Sequence, residues 1–205
     1  MCGRFYIESE DTPAELERML SQASRESALP KKGEIIPGSD ACVLTAGQQT
    51  GAFLPLVMRW GYPLEKRLVI NARLESADRR PMFSASWRTG RCLIPASGWF
   101  EWDHRERRPP KYRFFSRTSS WFYLAGLYQY SADGEPRFVV ITRQAEGPPA
   151  DIHDRMPLCF SREAAGSWIA AAGGSPDTGA ALSFRDLLWE KVPPVSGCME
   201  QISML

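Results

Sequence analysis

A chain of 205 residues, 43% of them hydrophobic, is long enough to bury a core and too short to require a second domain, so one domain over residues 1–205 is expected. No stretch approaches the length of a membrane span, and the first residues carry neither an apolar run nor a cleavage signature, so a soluble, cytoplasmic protein is expected. The net charge of +1 averages two unlike parts: residues 59 to 117 hold 14 Lys and Arg against six Asp and Glu, a segment that suits a nucleic-acid partner if folding gathers it and a solvated mixed surface if not.

Thr12-Pro13-Ala14-Glu15 reads as a helix start, with Thr12 as cap and Glu15 reaching back to it, and the helix runs to about Ala23. Pro30 to Ser39, rich in Pro, Gly and Lys, reads as a surface loop whose Pro37-Gly38 can touch a ligand. Short apolar runs bounded by turn residues then predict strands at Cys42–Thr45, Phe53–Trp60, Leu68–Ala72, Cys92–Pro95, Trp99–Trp102, Trp121–Tyr128 and Phe138–Thr142, with Asp133-Gly134 as a hairpin turn. Arg162–Ala172 and Phe184–Glu190 have helical spacing behind Ser161 and Ser183, and Pro193-Pro194 stops the second. The fold class is α+β: a single domain with a curved, mostly antiparallel, barrel-like β core flanked by helices.

Five scattered cysteines (Cys2, Cys42, Cys92, Cys159 and Cys198) fit reduced thiols. With only His104 and His153 as histidines, neither a metal nor a cofactor is expected. Cys2 differs from the others in position. Removal of Met1 leaves an amine and a thiol on one framework, with reference pKa values of about 8 and about 8.5, so both reach nucleophilic forms near neutral pH. Such a group condenses with an aldehyde to an imine and then closes to a five-membered thiazolidine. The plainer reading is a small buried hydrophobe.

Three further clusters carry chemistry. In Ile70-Asn71-Ala72-Arg73-Leu74-Glu75, Asn71 can hold the Cys2 amine and Arg73 a phosphate, or the stretch is a polar turn. In Gly98-Trp99-Phe100-Glu101-Trp102, apolar walls would raise the Glu101 carboxyl toward a general acid, unless strand alternation turns it to solvent. In His153-Asp154-Arg155-Met156-Pro157, His153 is an acid–base candidate or a satisfied hydrogen-bond partner, and Arg155, with upstream Thr142, is fit for phosphate.

Taken with Cys2-Gly3-Arg4-Phe5, Ile36-Pro37-Gly38 and Trp60-Gly61, these motifs in this order resemble the SRAP family, the SOS response-associated peptidases, over nearly the whole chain. The resemblance implies covalent capture of ring-opened abasic sites in single-stranded DNA as a thiazolidine, protecting the lesion, with lyase activity if the imine undergoes β-elimination first. It implies Cys2 as nucleophile, Asn71 orienting its amine, Glu101 assisting ring opening and proton transfer, and His153 as acid or base at the imine. Arg4, Arg73, Thr142 and Arg155 would then hold the DNA backbone, and Pro37 and Trp60 would pack against bases flanking the lesion. The partner is single-stranded DNA, the location cytoplasmic and nucleoid-associated when bound, and the protein a monomer. Two other readings stay open: a thiol autopeptidase that removes its own first residue, and a non-covalent reader of damaged DNA.

Overall fold

Strand residues outnumber helical ones among the described residues because the apolar residues fall in short runs that two sheets can cover, leaving helices at the margins. The computed structural model describes residues 2–8, 12–23, 32–47, 53–169 and 175–193. Within them the strands are β1 (Phe5–Ile7), β2 (Gly33–Ile35), β3 (Asp40–Ala46), β4 (Phe53–Trp60), β5 (Tyr62–Leu64), β6 (Arg67–Val69), β7 (Asn71–Arg73), β8 (Arg91–Ala96), β9 (Gly98–Trp102), β10 (Lys111–Ser116), β11 (Phe122–Tyr130), β12 (Pro136–Gln144), β13 (Arg155–Pro157), β14 (Cys159–Phe160) and β15 (Leu187–Lys191). The helices are α1 (Ala14–Ala23), α2 (Pro81–Thr89) and α3 (Gly166–Ile169). The class is α+β, and no helix among the described residues is long and apolar enough to cross a membrane.

The larger sheet runs β13-β12-β4-β3-β8-β11-β14, with β7 added on β12. Because β11 also pairs with β12, the path through β12, β4, β3, β8 and β11 returns to its start. A second sheet runs β15-β10-β9-β1-β2, and β5 with β6 forms a small hairpin. The pairings are antiparallel except those of β12 with β4 and β7.

Aromatic packing joins the sheets. From the second sheet, Phe5 lies 5.1 Å from Trp60 of the first, and Trp60 stacks on Phe138 at 6.0 Å. Trp99 stacks on Phe114 at 4.9 Å. These rings are wholly buried, and burial of their area with favourable ring geometry holds the amino-terminal strand in place. Gly98 makes that strand's seat possible: a side chain there would come within 2.1 Å of the Phe114 carbonyl and 2.6 Å of the Tyr6 ring.

Several expected elements change. Helix α1 forms where expected, burying Leu16, Leu20 and Ala23, but Thr12 Oγ1 donates to the Glu8 carbonyl and Glu15 pairs with Arg162, so the capping box is absent. The stretch 33–35, expected as loop, pairs with β1. Leu68–Ala72 divides at Ile70 between β6, which pairs with β5, and β7, which joins β12. Ser183 and Asp186 do form a capping box, yet it supports only a 3-10 turn, because Leu187–Lys191 leaves helical geometry to pair with β10. Helix α2 is an addition, starting at Pro81 with no side-chain cap. Arg162–Ala172 yields α3 only, and residues 170–172 lie outside the described residues, as do Met1, Lys31, Pro194 and Cys198.

Candidate active site

Three residues upstream of the Phe5 anchor, Cys2 is fully buried. Two strands from different sheets reach it. Asn71 opens β7, which the parallel register Val140 to Asn71, Ile141 to Ala72 and Thr142 to Arg73 holds against β12. From there Asn71 Nδ2 donates to the Cys2 carbonyl at 2.9 Å. Asn71 Oδ1 is also buried and meets no donor among the described residues, so the same amide keeps an acceptor beside Cys2.

Glu101 arrives on β9, which pairs with β1 through Phe5 to Trp99. Strand alternation turns it inward, not to solvent, and it is buried. Burial pushes its carboxyl up to about 7, with a further push from Asp154. The Cys2 thiol is raised well above its usual value, first by burial and then by Glu101. That differs from the expectation of an easily ionised thiol: in this pocket desolvation disfavours the thiolate.

His153 precedes β13 and is partly buried, which lowers its pKa. Its Nδ1 accepts from the Arg155 backbone N–H at 2.9 Å, and an Asp154 carboxylate oxygen lies 2.8 Å from the same nitrogen. These contacts demand opposite protonation states of Nδ1. The lowered pKa favours the neutral ring, and a neutral ring can satisfy only one of the two contacts at Nδ1. Asp154, with its field at both Glu101 and His153, links the two.

The expected DNA contacts separate into two groups. Arg73 is exposed; Pro37 is half-buried beside Ile36, which is 45% exposed. The Pro37 turn is pinned by Gly38 N–H to the Trp60 carbonyl at 2.8 Å, and Gly38 has φ +83°, a geometry that favours glycine. Arg4 is half-exposed, pairs with Glu34 at 2.8 Å and lies over the Trp102 ring.

Trp60, Thr142 and Arg155 form the second group, each buried. Trp60 has no exposed face: Phe5 and Phe138 flank it, and its Nε1 donates to the Ile70 carbonyl at 3.0 Å. Thr142 is buried within β12. The Arg155 guanidinium donates to both Glu75 carboxylate oxygens and to the Thr142 carbonyl. Glu75 and Asp154 are what the sequence reading missed. Glu75 sits four residues after Asn71, a spacing read as a turn cap, and nothing local reveals a partner 80 residues on. Among the described residues no group of three His, Cys, Asp or Glu could hold a metal ion.

A family model described as SOS response associated peptidase (SRAP) matches residues 1–194. The abasic site processing protein YedK of Escherichia coli is 29% identical over 181 residues, covering 82% of this chain and 79% of that protein. The abasic site processing protein YoqW of Bacillus subtilis is 28% identical over 195 residues, covering 86% and 84%. Among solved structures, a phage-related protein from Bordetella bronchiseptica has a TM-score of 0.71 at 26% identity, covering 94% of this chain and 95% of that one. A protein from Bacteroides thetaiotaomicron has a TM-score of 0.73 at 17% identity, covering 94% and 92%, a likeness of fold alone.

Proposed function

The chain belongs to the SOS response associated peptidase (SRAP) family, and from that premise we propose that it processes abasic sites in DNA by covalent capture through Cys2 once Met1 has been removed. Its similarity to proteins named for abasic site processing supports the substrate class. The observation that carries the chemistry is the Asn71 Nδ2 bond to the Cys2 carbonyl beside buried Glu101, which holds position two against an amide and a proton carrier.

The steps balance with one water lost. The Cys2 amine adds to the aldehyde carbon of the ring-opened sugar, and the carbinolamine loses its hydroxyl as water to give the imine. Sulfur then adds to the imine carbon while the thiol proton passes to nitrogen, closing the thiazolidine. Asn71 Oδ1 accepts from the amine and aims its lone pair. Glu101, with its carboxyl near neutrality, moves protons in ring opening and relieves the Cys2 thiol of its proton. His153 presents Nε2–H to the oxygen that departs as water. Exposed Arg73 and half-exposed Arg4 attract the DNA backbone, and Pro37 with Ile36 offers an apolar edge to a base.

The test is a denaturing gel of purified full-length protein with single-stranded DNA bearing one abasic site, with intact mass of the product. A gel-stable adduct lighter by one water than protein plus DNA, absent in Cys2→Ala, is expected. An adduct of equal yield in Cys2→Ala ends the proposal.

A further inference from the structure

Glu75 and Arg155 meet in a two-pronged ion pair, Nη1 to Oε1 at 2.7 Å and Nη2 to Oε2 at 2.9 Å. Both ends are committed further. Arg155 Nη2 also donates to the Thr142 carbonyl at 2.6 Å, and Glu75 Oε1 accepts from the Gln144 backbone N–H at 3.2 Å. The pair therefore straddles the end of β12, the strand to which β7 is bonded.

Each partner stands next to a residue of the site. Glu75 follows β7, whose exit is fixed by Leu74 N–H to the Thr142 carbonyl at 2.8 Å, so it stays in register with Asn71. Arg155 opens β13, and its own amide is the donor to His153 Nδ1. One ion pair thus links the strand that presents Asn71 to the amide that orients His153. A fork-to-fork geometry suits this, because two parallel bonds fix direction as well as distance, which a lysine cannot do.

We propose that Glu75 and Arg155 are positioning residues that hold His153 in its Nε2-protonated form and in register with Asn71. The proposal deepens, and rests on, the reading of the Cys2 site as one that captures aldehydes. Two groups compete for His153 Nδ1. The Arg155 amide needs it unprotonated, and the Asp154 carboxylate at 2.8 Å needs it protonated. With Arg155 clamped, the amide wins and the ring turns its only N–H toward the reacting oxygen. With Arg155 released, the amide moves away and Asp154 draws the proton to Nδ1, leaving an acceptor where a donor is required. Glu75 is half-exposed but Arg155 is buried, so loss of the carboxylate leaves a buried guanidinium without its counter-charge and costs stability as well as local geometry.

The experiment uses full-length protein lacking Met1, with 15N-labelled histidine and a His104→Gln background to leave a single imidazole. Long-range 1H–15N spectra of Arg155→Lys and Glu75→Gln read the tautomer directly, and adduct formation with abasic single-stranded DNA is timed in parallel. The Nε2-protonated form is expected in the parent, with a shift toward Nδ1 protonation in both variants, adduct formation slowed roughly ten- to hundredfold, and partial recovery of both readouts in Glu75→Asp. An unchanged tautomer in the variants overturns the proposal whatever the rate. If the tautomer shifts but the parent makes no adduct, the positioning pair stands and the aldehyde-capture reading fails. Should Arg155→Lys fail to fold, Glu75→Gln carries the test alone.

Discussion

Asn71 and Cys2, 69 residues apart in the chain, are joined by a hydrogen bond of 2.9 Å from the Asn71 amide to the Cys2 carbonyl. The bond crosses between the two sheets, since Asn71 belongs to the strand on β12 and Cys2 precedes the strand on β9. It fixes the Cys2 backbone at its own carbonyl, which in the proposed capture leaves the amine and thiol to the chemistry.

Asn71→Ala removes that donor and the acceptor behind it. The adduct rate should fall roughly ten- to hundredfold, the loss expected when a reacting group is held less exactly. The thermal midpoint should move only slightly, because one net hydrogen bond is worth about 1 kcal/mol. Single-turnover gels beside a thermal melt check both, and an unchanged rate would remove Asn71 from the site.

Glu101 sets a pH dependence on stability. Its folded carboxyl titrates at about 7 against an ordinary 4.5, so between these values the folded state binds the proton more tightly. That contribution is fully present below about pH 4.5, declines as pH rises and is gone above about 7, a total of about 3 kcal/mol. Glu101→Gln has no charge to desolvate and should lose far less stability over the same range. Denaturant midpoints at pH 4 and pH 8 decide this: parallel slopes for the two proteins would contradict a buried, raised carboxyl.

Phe5 opens the strand that follows Cys2 and is wholly buried against Trp60. Phe5→Ala should cost about 3–5 kcal/mol by leaving a cavity between the sheets. Under conditions where the variant is still folded, adduct formation should also slow, since the Cys2 segment loses its nearest fixed point. Urea unfolding gives the first quantity; a cost below about 1 kcal/mol would mean that the strand is held by its ladder alone.

Arg73 and Trp60 are expected to part company in DNA binding. Arg73→Ala should weaken binding to single-stranded DNA and reduce the slope of log affinity against log salt by roughly one phosphate contact. Trp60→Phe should leave that slope alone and lower stability, having lost its bond to the Ile70 carbonyl. Fluorescence-anisotropy titrations at several salt concentrations separate the two, and an equal effect on the slope from Trp60→Phe would place its ring at the DNA after all.

The α+β class, the main β runs, helix α1 and the order of the four chemical clusters were legible in the sequence. Apolar runs bounded by turn residues and a helix start at Pro13 are local signals that survive folding. It did not determine that Leu187–Lys191 is a strand, because pairing with Lys111–Ser116 outweighs the local helical spacing behind Ser183. Nor did it separate arginine from arginine. Arg73 and Arg155 look alike in a string of residues, yet one is exposed and the other is locked to Glu75 from 80 positions away. Folding settles which aromatic is core and which guanidinium is paired, since each depends on groups brought together by sheets the local sequence does not specify.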